Sequence, residues 1–164
     1  MSEQEGVIKF QLEHVPATPL PLDQLRELIA WRRVLFQLQL IGEDPLRYDG
    51  FGFGNISRLL PPYSTGSFAI TGTQTGSLAE LLPEHFSLVT ACDPARNRVV
   101  STGPVKPSSE AMTHAVLYRI DADLRCVMHV HSPHIWRRAA VLGRRQTASR
   151  RSSLLKRNFC WLLH

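Results

Sequence analysis

The sequence lacks any apolar run that approaches the roughly 20 residues needed to span a bilayer. Its start, MSEQEGVIKF, has neither the basic residues nor the apolar stretch of a signal peptide, so a cytoplasmic protein with no membrane partner is expected. Paired cysteines are also lacking, because Cys92, Cys126 and Cys160 are widely spaced and form no CxxC. This argues against a disulfide framework or a zinc knuckle and indicates buried or free thiols.

Nucleotide fingerprints are absent too, since neither GxGxxG nor GxxxxGK[ST] occurs.

Acidic residues are missing from the last part of the chain. Residues 1–136 carry 11 Lys/Arg and 14 Asp/Glu, a balance of −3, whereas residues 137–164 carry 8 Lys/Arg and no acid, a balance of +8. Few aromatic or amide side chains accompany these cations, so an incidental basic tail over 144–164, outside the fold, is favoured over a nucleic-acid or acidic-membrane contact.

What is present indicates one domain of helices and strands. At 164 residues with 43% hydrophobic residues, the chain can build one ordinary core. Residues 1–19 read as a polar segment, and the domain is predicted over 20–143. A helix is expected from Asp23 to a stop at Gly42, with Arg32 on its largely apolar face, and a second helix after PSSE. Strands are expected in GNISRLL, GSFAIT, HFSLVTACD, NRVVSTG and LRCVMHVH. The class is therefore α/β or α+β, with a mixed sheet covered by helices.

The last of these strands carries two alternating histidines in VMHVHSPHIW. Strand side chains alternate between faces, so Val127, His129 and His131 share one side, and the other side holds Leu124, Cys126, Met128 and Val130. The two imidazoles can therefore reach one ion at about 2.1 Å, which suits zinc or another divalent metal. The alternative is a pair of core or strand-end histidines bound to backbone carbonyls.

The segment KPSSEAMTHAVLY is the best candidate for holding an anion near such a metal. Ser108 and Ser109 precede a helix whose first amides are unpaired and whose dipole favours anions. Glu110 can complement the helix dipole, or it can remove a proton from carbon next to a carbonyl. His114, one turn later, is most simply a packed helix histidine. Asn55 and the TGTQTG loop at 71–76 add an amide side chain, hydroxyls and backbone amides.

In this order, GFGNIS, ITGTQTG, GPVKPSSEAMTHAVLY and VMHVHSPHIW resemble the N-terminal half of the class II aldolase/adducin family, over about residues 20–142. The resemblance implies an αβα sandwich around a mixed, largely antiparallel sheet, commonly a tetramer with active sites at subunit contacts. It implies that the substrate phosphate is held by Asn55, Thr75, Gly76, Ser108 and Ser109, that Glu110 is the catalytic acid/base, and that His129 and His131 are two of three zinc ligands.

The sequence departs from the family in two ways. ITGTQTG is longer than the usual ITPTG-like loop, and the family's third zinc histidine belongs to a C-terminal half that the resemblance does not reach. A truncated or frameshifted reading frame near Gly143 would produce this pattern. Two functions therefore stay open: a metal-dependent aldolase-like lyase or isomerase that acts on a small sugar phosphate or hydroxy acid through an enediolate, and a non-catalytic, adducin-like or inactive member.

Overall fold

The computed structural model of the chain describes residues 8–46, 48–134 and 137–138, with the backbone alone at residues 49 and 159–163. Its elements follow the chain in the order of their labels. The strands are β1 (Gln11–Pro16), β2 (Gly42–Glu43), β3 (Gly52–Phe53), β4 (Asn55–Leu59), β5 (Phe68–Thr71), β6 (Phe86–Asp93), β7 (Arg98–Gly103), β8 (Cys126–Val130) and β9 (Phe159–Leu163), and the helices are α1 (Leu22–Gln37) and α2 (Ala111–Ile120). The five predicted strands and both predicted helices are present, but α1 ends at Gln37 rather than at the predicted stop, Gly42, because the chain turns at Gln39, which has a positive φ of 56°.

Seven strands form one mixed sheet in the order β1-β7-β6-β5-β4-β8-β9, and β2 and β3 form a separate antiparallel pair. In the seven-stranded sheet, adjacent strands between β7 and β8 pair antiparallel, whereas the two outermost pairs, β1 with β7 and β8 with β9, are parallel. Strand β8 is buried at all five positions, as expected for a strand covered on both faces. The α/β class with a mixed, largely antiparallel sheet is therefore confirmed.

The two helices pack on different sets of sheet residues. Helix α1 buries Leu25, Leu28, Arg32 and Leu35, spaced three or four apart, and its leucines join a cluster with Ile56 and other sheet side chains. The other cluster joins three residues of α2, Ala111, Ala115 and Tyr118, to residues of strands β4 to β8. These strand residues are Leu59, Phe68, Ile70, Val89, Val99 and Val127. The three-layer sandwich stays a prediction. None of the helices in the described part of the chain is long and apolar enough to cross a membrane.

Three details differ from the sequence-based expectations. The polar segment 1–19 contains β1, an edge strand that pairs in register with β7. In the tail predicted to lie outside the fold, the backbone of Phe159–Leu163 pairs with β8, while 144–158 lie outside the described residues. Leu124 packs with Val127 rather than with Met128, because β8 begins only at Cys126 and the strict alternation does not extend before it.

The cysteines follow the expectation as far as they are described. Cys92 and Cys126 are free thiols, and the side chain of Cys160 lies outside the described residues. Burial raises the pKa of the Cys126 thiol to about 12, so this group is protonated and unreactive at neutral pH.

Candidate anion pocket and histidine pair

One small cavity of about 30 Å³, called the anion pocket below, collects all the residues that the sequence associates with phosphate binding and proton transfer. These six residues, brought together from three parts of the chain, are Asn55, Thr75, Gly76, Ser108, Ser109 and Glu110. The rest of its lining consists of Gly52, Gly54, Gly72, Thr73 and Gln74. A cavity of this size exceeds the roughly 10–15 Å³ that one water needs, so it suits a compact oxyanion group rather than a whole sugar.

The sheet and its connections explain this convergence. Asn55 opens β4, which pairs with β5, and the amide of Ile56 donates to the Thr71 hydroxyl at the end of β5. The Thr71 carbonyl in turn accepts from the Ser108 amide at 3.0 Å. The start of β4, the loop after β5 and the segment before α2 therefore meet at one point.

The loop after β5 forms one wall of this pocket and carries backbone amides with no acceptor among the described residues. Thr75 turns its hydroxyl inward and donates it to the Gly72 carbonyl at 2.9 Å, which closes the loop. Gln74 has a positive φ of 56°, a conformation that side chains other than glycine rarely adopt. In the described part of the chain, the amides of Gln74, Thr75 and Gly76 donate to no protein acceptor. Successive unpaired amides of this kind form an anion-binding concavity.

The segment before α2 supplies hydroxyls at a helix N-terminus. The Ser108 carbonyl accepts from the Ala111 amide at 3.0 Å, and the Ser108 hydroxyl oxygen accepts from the Glu110 amide at 3.3 Å. Glu110 is half-buried, and one of its carboxylate oxygens accepts the Thr113 hydroxyl at 2.9 Å. The helix dipole therefore adds a partial positive charge, while Glu110 places a carboxylate on the same cavity wall.

The two histidines of the HxH motif lie beside this pocket, with their ring centroids 4.7 Å apart. His129 and His131 are 4% and 1% exposed. His129 Nδ1 lies 3.2 Å from the Asn55 amide nitrogen, and His131 Nδ1 lies 2.8 Å from the Tyr48 hydroxyl. Asn55 thus contacts His129 and also lines the anion pocket, so it connects the two candidate sites.

The donor set fits a divalent metal as two of its ligands. In a metal site, one ring nitrogen binds the ion and the other is hydrogen-bonded to a neighbouring group, as both Nδ1 atoms are here. Asn55 Oδ1 is buried and has no partner among the described residues. Turning this amide over would let Oδ1 accept from His129 Nδ1–H, which leaves Nε2 as the nitrogen with a lone pair. Within the described residues, no group of three or more His, Cys, Asp or Glu could hold a metal.

His114 is the packed helix histidine that the sequence predicts. It is fully buried, and its Nδ1 lies 2.7 Å from the Ser57 hydroxyl, which also lies 2.7 Å from the Tyr118 hydroxyl. Burial, with a smaller effect of nearby His129, lowers the pKa of His114 to about 3, so the ring is neutral at physiological pH.

Sequence reasoning missed two residues that support these sites. Tyr48 packs edge-on against the His131 ring, and Arg32 binds the loop that carries Thr75 and Gly76. Tyr48 gives no sequence signal, because it lies in an irregular segment before the glycines. Arg32 did give a sequence signal, because a charged residue on the apolar face of a helix must find polar partners when it is buried.

A larger cavity of about 360 Å³ lies elsewhere, against α2, and contains none of the predicted site residues. Cys92, Arg119 and Arg125 are among its lining residues. Burial raises the pKa of the Cys92 thiol, which opposes thiolate chemistry there. Donor chemistry rather than cavity size therefore identifies the candidate site.

Comparison with known families gives one match. The sequence model described as the Class II Aldolase and Adducin N-terminal domain matches residues 44–154 of the chain, a span that includes the whole anion pocket and both histidines. No curated protein and no solved structure matches the chain.

Proposed function

The chain belongs to the class II aldolase and adducin N-terminal domain family, and from this premise we propose that it binds the phosphate or carboxylate of a small hydroxy-carbonyl compound in the anion pocket and transfers a proton of that compound. The observation that carries the proposal is the convergence of Asn55, the 74–76 amides, Ser108, Ser109 and Glu110 on one cavity.

Binding in the pocket would depend mainly on neutral donors. Phosphate oxygens are acceptors, and the pocket offers them three kinds of donor. These are the amides of residues 74–76, which have no acceptor within the described ranges, the hydroxyls of Ser108 and Ser109, and the N-terminus of α2. Because the cavity is small, only the oxyanion group enters it, and the rest of the compound extends toward Glu110 and the histidine pair.

Glu110 would act as the acid/base. One carboxylate oxygen accepts the Thr113 hydroxyl, which fixes its direction, and the other can accept a proton from carbon next to a carbonyl. Loss of that proton leaves an enediolate, and return of the proton at the neighbouring carbon would give isomerase activity. In a lyase, Glu110 would instead take the proton of the β-hydroxyl as the carbon–carbon bond breaks into an aldehyde and an enediolate, and would then return this proton to the enediolate carbon.

His129 and His131 would hold a divalent cation, most simply zinc, as two of its ligands. When bound, the cation would polarise the carbonyl oxygen and stabilise negative charge on it. Asn55 and Tyr48 would orient the two imidazoles through Nδ1.

A second candidate function is a non-catalytic, adducin-like binding module. It is favoured by the absence, within the described residues, of a third His, Cys, Asp or Glu grouped with the histidine pair. A binding module would retain anion binding without proton transfer, and the two candidates therefore differ in a measurable way.

The binding half of the proposal predicts that the chain binds inorganic phosphate. The double variant Ser108→Ala/Ser109→Ala should weaken binding by on the order of tenfold or more, because each hydroxyl donates to a charged acceptor. Calorimetric titration measures this, with Thr90→Ala as the control that removes an exposed hydroxyl far from the pocket. Equal affinity in the double variant would place phosphate elsewhere.

The catalytic half is tested with dihydroxyacetone phosphate in heavy water in the presence of zinc. Proton transfer at carbon incorporates deuterium, which mass spectrometry detects, and Glu110→Gln should abolish it. The same variant should bind phosphate at least as tightly as the unaltered chain, since it removes a carboxylate from the pocket wall. Phosphate binding with no incorporation would favour the binding module.

A further inference from the structure

Among the described residues, Arg32 is a buried cation that has no acidic partner. Its side chain is 1% exposed on α1, and its guanidinium lies 4.6 Å from the centroid of the Phe36 ring. None of the salt bridges in the described part of the chain includes it. Burial lowers its pKa to about 10, so it keeps its charge at neutral pH. A buried charge is retained only where polar groups compensate it.

The compensating groups are carbonyls of the loop that forms the anion pocket. Arg32 Nη2 donates to the Thr75 and Gly76 carbonyls, both at 3.1 Å, and Nη1 donates to the Ala79 carbonyl at 3.4 Å. Both bonds from Nη2 are buried. The planar fork of a guanidinium can hold several acceptors in fixed directions, which an ammonium group does less well.

Anchoring these carbonyls also fixes the direction of an amide. The Thr75 carbonyl and the Gly76 N–H belong to one trans peptide plane and point in opposite directions. With the carbonyl held by Arg32, the Gly76 N–H is directed away from Arg32, and it has no protein acceptor among the described residues. Gly76 lines the anion pocket.

The charge of Arg32 has a second effect. Glu110 lines the anion pocket, whereas no Lys or Arg is among the described residues that do so. Arg32 therefore supplies positive charge from behind the loop, through the carbonyl dipoles that it polarises, without touching the anion. In a low-dielectric interior, such a charge acts over a longer distance than it would in water.

We propose that Arg32 is the positioning residue of the anion pocket: by holding the Thr75 carbonyl, it orients the Gly76 amide that binds the oxyanion, and its bonds to the Gly76 and Ala79 carbonyls hold the loop in place. This inference rests on the proposed anion binding and adds a residue on α1 that does not touch the ligand.

The test compares phosphate affinity in Arg32→Met and Arg32→Lys with two controls on the same helix. Arg33→Met removes an exposed cation paired with Glu80, and Leu28→Ala weakens the packing of α1 while leaving the bonds from Arg32 to the loop in place. Arg32→Met should raise the phosphate Kd on the order of tenfold, a typical coupling between separate sites. Arg32→Lys should raise it less, because the charge remains, and the controls should leave it unchanged.

Amide hydrogen exchange gives a second readout that does not depend on phosphate. In Arg32→Lys, the hydrogen-bonded amides of the loop, those of Gly72, Thr73 and Leu78, should exchange faster, while those of β4 and β8 keep their protection. A merely structural role predicts faster exchange throughout, and Leu28→Ala would then reproduce the loss of affinity.

The outcomes separate this inference from the proposed function. Wild-type affinity in both Arg32 variants, or equal weakening in Leu28→Ala, overturns the inference. If the unaltered chain binds no phosphate, the proposed anion binding fails. Amide exchange in the 72–79 loop then tests whether Arg32 positions that loop. Unchanged exchange in Arg32→Lys then overturns the positioning role, and faster exchange confined to this loop supports it.

Discussion

At the scale of single residues, Gly76 brings two segments of backbone into direct contact at the pocket. A Cβ atom at position 76 would lie 2.5 Å from the Gly42 carbonyl oxygen and 2.6 Å from the Gly52 Cα. Both atoms belong to backbone, so neither can move aside as a flexible side chain could. The loop can approach β2 and β3 this closely only with glycine here.

Gly76→Ala should therefore damage both the fold and the pocket. We expect a loss of about 1–3 kcal/mol in the free energy of unfolding, the usual cost of overpacking, together with weaker phosphate binding. Urea unfolding and phosphate titration measure the two effects. Gly42→Ala is the matched control, because its Cβ would meet only the Phe53 ring at an ordinary 3.5 Å. A fully stable Gly76→Ala chain that binds phosphate normally would contradict this role.

The sequence predicted these site residues to different degrees. Chemistry alone indicated that Ser108 and Ser109 precede a helix with Glu110 in its first turn. The structure has that helix at Ala111–Ile120, with Glu110 one position earlier, at the N-cap. Donor chemistry gave only weak grounds for grouping Asn55 and Thr75 with them, and the family resemblance supplied the rest, because local patterns carry no information on which loops meet. Arg32 lies 43 positions before Thr75, and helix periodicity cannot reveal such a partner.

At the scale of elements, the alternation of apolar and polar residues, together with turn residues, was enough to predict a strand that is buried. Strands β4 to β8 were predicted because each carries apolar residues between clear breaks. Strand β1 was missed since it lies at the sheet edge, where four of its six residues are exposed and the other two are only half-buried. An edge strand needs little apolar surface, so its sequence, QLEHVP, resembles that of a polar loop.

Strand β8 is the element on which the proposed metal depends. We expect the purified chain to retain one divalent ion after dialysis, more weakly than a site with three histidines would, because two neutral imidazoles share a face with ring centroids 4.7 Å apart. Elemental analysis should show that His129→Ala/His131→Ala loses this ion. The control His14→Ala/His85→Ala removes two histidines from other elements and should retain it. Equal metal in the β8 variant would refute the assignment.

At the scale of the whole molecule, one polar network joins the second helix to the middle of the sheet. Ser57 on β4 lies within hydrogen-bond distance of His114 and Tyr118, both on α2. Ser57 and His114 are fully buried, and His114 Nε2 has no partner among the described residues. Protonating this ring in the folded state would bury a positive charge, and the other members of the network are neutral. Acid should therefore lower the free energy of unfolding of the whole domain through His114.

The sign of this effect follows from the pKa values. His114 has a pKa of about 3 when folded and its ordinary 6.5 when unfolded, so between these values only the unfolded chain binds the proton. Its contribution to stability is complete above pH 6.5 and is lost as the pH falls toward 3.

We therefore expect His114 to add a slope approaching about 1.4 kcal/mol per pH unit to the free energy of unfolding below its unfolded pKa. Urea unfolding at steps from about pH 7.5 to pH 4.5, a range that spans that pKa, measures it. His114→Gln should be less stable at neutral pH, because Ser57 loses a partner. Its free energy of unfolding should nevertheless depend less steeply on pH, because the contribution of His114 is gone. Tyr118→Phe, which removes the other bond to Ser57 and keeps the imidazole, should lower stability at every pH and retain the slope. Identical slopes in the His114→Gln and unaltered chains would show that this ring does not govern the acid sensitivity of the fold.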